Sequence, residues 1–321
     1  MDALLTLGGL VLLFAGGESV VRGAVALAFR MGISPLIVGL TVVAFGTSAP
    51  EIVTSVEAVL ADAPAIAVGN IVGSNIANVL LVLGLSALVR PMLVYGKAFR
   101  RDAWAVLVAT LIGIALLFLG FIDRAMGAAL LALLAGYLLY AYRCERQKAG
   151  QALSAGKPQR EGEADKEGEH RPHNVFVSVA MTAGGIVLVI VGARCLVEGA
   201  VGIARAAEIS EATIGATVVA VGTSLPEVVT SVIAARRGQS GVAIGNVLGS
   251  NLFNILGVLG AAGLAAPFRV APEILTADVW IMFFVTVVLW FLATRHRLIT
   301  RWDAAALLAG YAGFLLLLFG W

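Results

Sequence analysis

The sequence predicts an all-α integral membrane protein of ten transmembrane helices, built as two five-helix repeats of inverted topology. Three observations lead there: ten apolar stretches of span length, a segment that recurs at a fixed shift of 176 residues, and positive charge gathered into one set of loops. Of 321 residues, 60% are hydrophobic and only 13% charged, and the mean hydropathy is +0.97. A soluble chain carries about 25% charged residues to cover its surface.

The ten spans follow in order. The first, 3–28, starts at Ala3 without a basic leader, so it reads as a membrane helix and not as a cleaved signal. The next two, 34–60 and 65–88, are rich in Gly, Ser, Asn and Pro. Two plain apolar helices, 102–121 and 124–142, complete a first half over 1–143. The segment 144–174 mixes charges without apolar periodicity and reads as a disordered linker. The second half, 175–321, repeats the plan with spans at 175–204, 210–235, 241–264, 276–294 and 303–320. One set of loops holds Arg30; Arg90, Lys97, Arg100 and Arg101; the segment 143–173; Arg236 and Arg237; and Arg295, Arg297 and Arg301. The opposite set holds Arg124, Arg205 and Arg269. The positive-inside rule places the first set, linker included, in the cytoplasm and both termini outside.

The repeat is ungapped from Gly8 to Leu88, and between 41–88 and 217–264, 26 of 48 positions are identical. Five spans per half is an odd number, so the second half enters the membrane upside down relative to the first. Inverted repeats of this kind place a binding site near the midplane, where interrupted helices meet. Two blocks stand out in each copy: GTSAPE (46–51) with GTSLPE (222–227), and GNIVGSNIAN (69–78) with GNVLGSNLFN (245–254).

A proline inside an apolar helix has no N–H and clashes with the carbonyl four residues back. Pro50 is expected to free the carbonyl of Gly46, and Pro226 that of Gly222, with Thr47 and Thr223 loosened beside them. Free carbonyls within a membrane belong beside a cavity. Glu51 and Glu227 follow directly and add charge and oxygens. Ser48, Ser224 and the threonine hydroxyls add neutral oxygens. Ser74 and Asn78, four residues apart, share a helix face, and Ser250 and Asn254 mirror them. Gly69-x-x-x-Gly73 and Gly245-x-x-x-Gly249 allow this helix close packing. Two carboxylates among neutral oxygens suit Ca²⁺ or Na⁺; zinc and copper want imidazole or thiolate. Ionised, the pair holds −2, which one Ca²⁺ or two Na⁺ would neutralise. Competition for one carboxylate pair is a physical basis for exchange. A merely structural role for Glu51 and Glu227 is the weaker reading, because membrane-embedded carboxylates default to function. For the Ser and Asn residues the alternative is helix–helix hydrogen bonding.

Other features are blander. Glu18 and Arg22, and Arg194 and Glu198, stand four apart and read as intrahelical salt bridges. Glu57 reads as interfacial. Cys144 and Cys195 give no disulfide framework. His170 and His173, spaced H-x-x-H in the linker, do not preorganise a metal site, and His296 has only a loop-end reading. Basic residues scattered through loops do not suggest nucleic acid. No cofactor and no obligate protein partner is expected.

At the two pairs of blocks the chain resembles the sodium/calcium exchanger family of the cation/calcium antiporter superfamily, with GTSAPE…GNIVGSNIAN and GTSLPE…GNVLGSNLFN similar to its two α-repeats. The resemblance covers both halves. It implies Ca²⁺ binding by Glu51 and Glu227 with carbonyls of Thr47 and Thr223, and Na⁺ ligation by Ser48, Ser74, Ser224, Ser250 and their neighbours. It implies that spans one and six slide across the rest to alternate access, and that three Na⁺ exchange for one Ca²⁺, which is electrogenic. Asn78 and Asn254 are both neutral where some relatives, including the potassium-dependent branch, carry Asp at the second place, which argues against K⁺ cotransport. The linker is too short for the calcium-sensing domains of animal relatives. Size and simplicity fit a prokaryotic plasma (inner) membrane protein. Three transport readings stand. Na⁺-driven Ca²⁺ antiport is favoured by hydroxyl-rich GTSxPE. Proton-driven Ca²⁺ antiport would use the glutamates as proton carriers, and proton-coupled relatives usually carry Asn-Ala in place of Thr-Ser. A cation channel is disfavoured, because a paired-carboxylate pocket favours occlusion. An enzyme is least supported, since no nucleophile–base constellation appears and no histidine lies in a span.

Overall fold

The computed structural model describes residues 1–94, 96–154, 174–207, 222–270, 277–295 and 298–318, with 148–154 and 295 described by backbone alone. The described chain is helical apart from loops and four two-residue strands. Among the described residues eight helices are long and apolar enough to cross a membrane, and nine if one bent pair counts as a span. The candidate spans at 210–235 and 303–320 are described only in part, and the H-x-x-H and His296 lie outside the described residues.

Helix α1 runs Asp2–Met31 and stops at Gly32, whose φ of 63° lets the backbone turn back onto the carbonyls of Ala28 and Phe29. Helices α2 (Pro35–Thr47) and α3 (Ala49–Leu60) are the expected second span, bent by 44° between them. Helix α4 is Pro64–Val89. Pro35 and Pro64 open their helices, where a missing N–H costs nothing. Helix α5 is Gly96–Phe118.

Helix α6, Arg124–Ser154, corrects the linker expectation over 144–154. CERQKAGQALS is mostly good helix formers, so the membrane helix continues past its apolar part. The remainder, 155–173, lies outside the described residues.

Helix α7 is Val175–Ala206, with Asn174 capping it through Oδ1 to the Phe176 N–H at 3.2 Å. Helices α8 (Leu225–Arg236), α9 (Ser240–Ala265), α10 (Ala277–Arg295) and α11 (Arg301–Leu318) follow. Helix α9 is buried throughout its apolar window and forms the centre of the molecule.

Contacts between the halves come in exchanged pairs. Strand β1 (Met92–Leu93) pairs antiparallel with β4 (Leu298–Ile299), and β2 (Phe121–Ile122) with β3 (Phe268–Arg269). Thr110 on α5 and Thr286 on α10, related by the 176-residue shift, meet hydroxyl to hydroxyl at 3.5 Å. An axis that exchanges the halves therefore passes between them.

The longest such contact joins α1 to α7. Gly9, Gly16 and Gly23 repeat every seven residues, two helical turns, and Gly185, Gly192 and Gly199 are their images. A Cβ on Gly16 would lie 2.7 Å from the Val189 nitrogen and 2.8 Å from the Gly185 oxygen; one on Gly9 would lie 2.7 Å from the Gly192 oxygen. Rising numbers on α1 meet falling numbers on α7, so the two copies run antiparallel. Lipid offers no hydrophobic drive for helix pairing, and close backbone contact takes its place.

Expected ion pairs divide. Glu18 binds Arg22 at 2.7 Å and also Arg237 at the end of α8, Nε to Oε2, at 2.7 Å. Arg194 and Glu198 are exposed, and among the described residues no ion pair joins them. Their order explains it: an acidic residue N-terminal to the basic one is the better arrangement on a helix. Glu57 is exposed near the end of α3. Asp102, fully buried, takes Arg101 Nε and Tyr137 OH on one oxygen, both at 2.6 Å.

Candidate ion site

Ser48 interrupts the first bent span with φ −84° and ψ 5°, and Ser224 repeats it with φ −87° and ψ 1°. These values fall in the sparsely used bridge region, where functional residues concentrate. After each serine a new helix begins, with proline second and glutamate third. Each carboxylate thus stands in the first turn of a helix, where free N–H groups and the positive dipole end favour an anion.

One expectation needs correction. The Gly46 carbonyl, which Pro50 cannot serve, is not left free: a backbone N–H at the Ser48 cap reaches it. The break is re-satisfied by a tightened turn, a common repair at helix ends.

Glu51 and Glu227 are each 1% exposed. Thr47, Ser48, Ser74, Asn78, Ser224, Ser250 and Asn254 are buried too, and Thr223 is half-buried. Ser48 Oγ donates across the halves to Glu227 Oε1 at 3.2 Å, and Ser250 Oγ donates to the same oxygen at 3.5 Å. That bond brings the two glutamate-bearing turns together, since Ser48 lies three residues before Glu51. Thr47 Oγ1 donates to Asn246 Oδ1 at 3.1 Å.

Several buried oxygens in this region find no partner among the described residues: Glu51 Oε2, Glu227 Oε2, Asn78 Oδ1 and Asn254 Oδ1. Each such group costs about 1–3 kcal/mol if left unmet, more when charged. They come from both halves and are all acceptors able to face a hard cation; the amide of Asn251, the Asn78 Nδ2 and the Thr230 hydroxyl are likewise without a partner among the described residues. Asn78 and Asn254 lie in π-helical turns, Asn78–Leu83 and Phe253–Val258, and such turns recur at functional sites. Among the described residues no group of three or more His, Cys, Asp or Glu is placed to hold a metal. The donors buried here are two carboxylates among neutral oxygens, of the kind that Ca²⁺ and Na⁺ accept.

Close packing behind the site is uneven. Gly245 and Gly249 of α9 lie against Leu36, Gly39 and Leu40 of α2. Gly69 and Gly73 meet nothing within 4 Å of an added Cβ; the segment that would face them by exchange, 208–221, lies outside the described residues.

The structure adds residues that the sequence reading passed over. Asn70 Nδ2 donates to the Glu51 carbonyl at 3.3 Å and to Ser55 Oγ at 2.9 Å. Asn246 Nδ2 donates to the Glu227 carbonyl at 3.5 Å and to Ser231 Oγ at 3.0 Å. Both asparagines stand second in the GN blocks and recur at the 176-residue shift, which was the available signal.

The profile of the family described as "Sodium/calcium exchanger protein" matches residues 1–143 and 177–320. The chain is 36% identical over 290 residues to "Inner membrane protein YrbG" of Escherichia coli (strain K12), covering 90% of this chain and 87% of that protein. It is 32% identical over 349 residues to "Sodium/calcium exchanger MaX1" of Methanosarcina acetivorans, covering 99% of each. Its fold is similar to that of the sodium-calcium exchanger NCX_Mj soaked with 10 mM Na⁺ and 10 mM Sr²⁺, with a TM-score of 0.80, 32% identity, and 97% of this chain and 96% of that one covered.

Proposed function

Because the chain belongs to the sodium/calcium exchanger family, a family of membrane transporters and not of enzymes, we propose that it exchanges Ca²⁺ for Na⁺ at one site shared by its two halves. The observation that carries this is the pair of buried glutamates, each opening a helix broken at the same place in its repeat. Glu51 and Glu227 bind Ca²⁺ with the Thr47 and Thr223 carbonyls. Ser48, Ser74, Ser224, Ser250, Asn78 and Asn254 complete the set for Na⁺.

The relatives named for sodium/calcium exchange, and the NCX_Mj crystals soaked in Na⁺ and Sr²⁺, support these ions as substrates. The antiparallel run of α1 and α7 and the exchanged strand pairs support ten spans in two inverted halves, 1–143 and 175–321. Two carboxylates hold −2, so a third Na⁺ carries net positive charge, and exchange at three Na⁺ per Ca²⁺ is electrogenic. Likeness to an Escherichia coli inner membrane protein supports a plasma membrane location; in this reading both termini face outside and the 144–174 segment is cytoplasmic.

The test is ⁴⁵Ca²⁺ uptake into proteoliposomes loaded with Na⁺ and diluted into Na⁺-free buffer, beside a set carrying only an outward proton gradient. Uptake driven by Na⁺ supports the reading. Uptake driven by protons alone keeps the fold and both glutamates but replaces Na⁺ with H⁺ as the coupling ion.

A further inference from the structure

The amide of Asn246 is fully committed. It is 0% exposed. Its nitrogen spans one turn of α8, from the Glu227 carbonyl to Ser231 Oγ, and its oxygen accepts from Thr47 Oγ1 of the other half. Asn70 makes the same nitrogen contacts to Glu51 and Ser55 on α3. Four hydrogen bonds reproduced across a 176-residue shift fix the same thing twice: the turn that carries a site glutamate, held against the helix that carries the site serine and asparagine. Thr47 is fully buried, and its one O–H proton points to Asn246 Oδ1 at 3.1 Å, with the Ala44 carbonyl at 3.4 Å as the alternative acceptor.

We infer that Asn246 and Asn70 are positioning residues of the ion site: each holds the turn bearing its glutamate, and Asn246 also ties that turn to Thr47 of the opposite half. They touch no ion. The Thr47 hydroxyl then helps to hold Asn246 in place. This rests on the exchange reading above. It goes further by assigning a role to residues outside the ligand set.

The arrangement is one-sided. Among the described residues no hydrogen bond joins Thr223 to Asn70, the image of the Thr47–Asn246 link. Asn70 is also half-exposed where Asn246 is buried. The variant at 70 therefore disturbs less packing and serves as the second probe.

The experiment measures half-saturating Ca²⁺ in two ways: KM for uptake into Na⁺-loaded proteoliposomes, and the Ca²⁺-dependent rise in Tm of purified protein. Asn246→Ala and Asn70→Ala are expected to raise half-saturation about tenfold or more, the usual loss when a group that orients a ligand is removed. Thr47→Val, which keeps the carbonyl and the volume, raises it less. The Thr47→Val/Asn246→Ala double variant matches Asn246→Ala alone, because the two side chains act as one contact. Additive effects would make the Thr47 hydroxyl an independent ligand and overturn the link. A lower Tm without Ca²⁺ and a lower Vmax, with half-saturation unmoved in both alanine variants, would reduce the asparagines to helix packing. If Asn246→Ala cannot be purified, Asn70→Ala decides by the same measure. Wild type showing neither uptake nor a Tm rise would overturn the ion site and this inference together, whereas a failure confined to the variants overturns the inference alone.

Discussion

At position 51 the chain places a carboxylate where a lipid-facing helix could not keep one. Burial makes the charge expensive, and the free N–H groups of the helix start offset part of that cost. Replacing the charge and keeping the shape isolates its role. Glu51→Gln and Glu227→Gln are each expected to reduce Na⁺-driven ⁴⁵Ca²⁺ uptake to the background of empty liposomes, with elution as a single folded species unchanged. Near-normal flux in both would remove the glutamates from the site. Asn254 has an oxygen without a partner among the described residues. Asn254→Asp adds a third carboxylate there, so the dependence of uptake on Na⁺, K⁺ and pH is expected to change; identical profiles would show that position 254 does not line the site. The glutamates and second-block serines were legible because charge and hydroxyls in an apolar run need a reason. Asn70 and Asn246 were not, since an asparagine's role lies in which carbonyl and hydroxyl it reaches, and that depends on how two helices pack.

The elements were legible in proportion to how much their chemistry is local. Prolines marked the break between α2 and α3 and the start of α4. The recurrence at 176 residues revealed the halves. The end of α6 was hidden, because CERQKAGQALS reads equally as helix or polar loop until a helix entering it is known to continue. Heptad glycines of α1 were visible as letters, but their partner was not. That partner gives a prediction. Gly16→Leu would drive a side chain into the backbone of α7 at Val189 and Gly185, and overpacking of this kind costs about 1–3 kcal/mol. Its Tm in detergent is expected to fall, while Gly8→Leu, with nothing within 4 Å of its Cβ, leaves Tm unchanged. Equal effects from both would deny the glycine contact a specific role.

For the whole molecule, the exchange reading makes voltage a substrate. At three Na⁺ per Ca²⁺ one net charge crosses per cycle. A potential of 100 mV is worth about 2.3 kcal/mol per charge, or about a fortyfold change in the Ca²⁺ gradient that a fixed Na⁺ gradient can sustain. Imposing potassium diffusion potentials on proteoliposomes and reading the steady Ca²⁺ gradient checks this; a gradient indifferent to voltage would mean electroneutral exchange. Glu18 pairs with Arg22 within α1 and, through Arg237, ties α1 to the end of α8.

The meeting of Thr110 with Thr286 has a consequence of its own. Two copies joined at such a point resemble a homodimer tied into one chain, and a two-fold interface must be complementary to itself. A duplicated half therefore starts life with every change on that line made twice, facing its own reflection. A lysine at 110 in such an ancestor would have met a lysine, whereas a hydroxyl, both donor and acceptor, can greet its twin. Only after fusion could the two sides differ. The threonine pair meets that demand for self-complementarity.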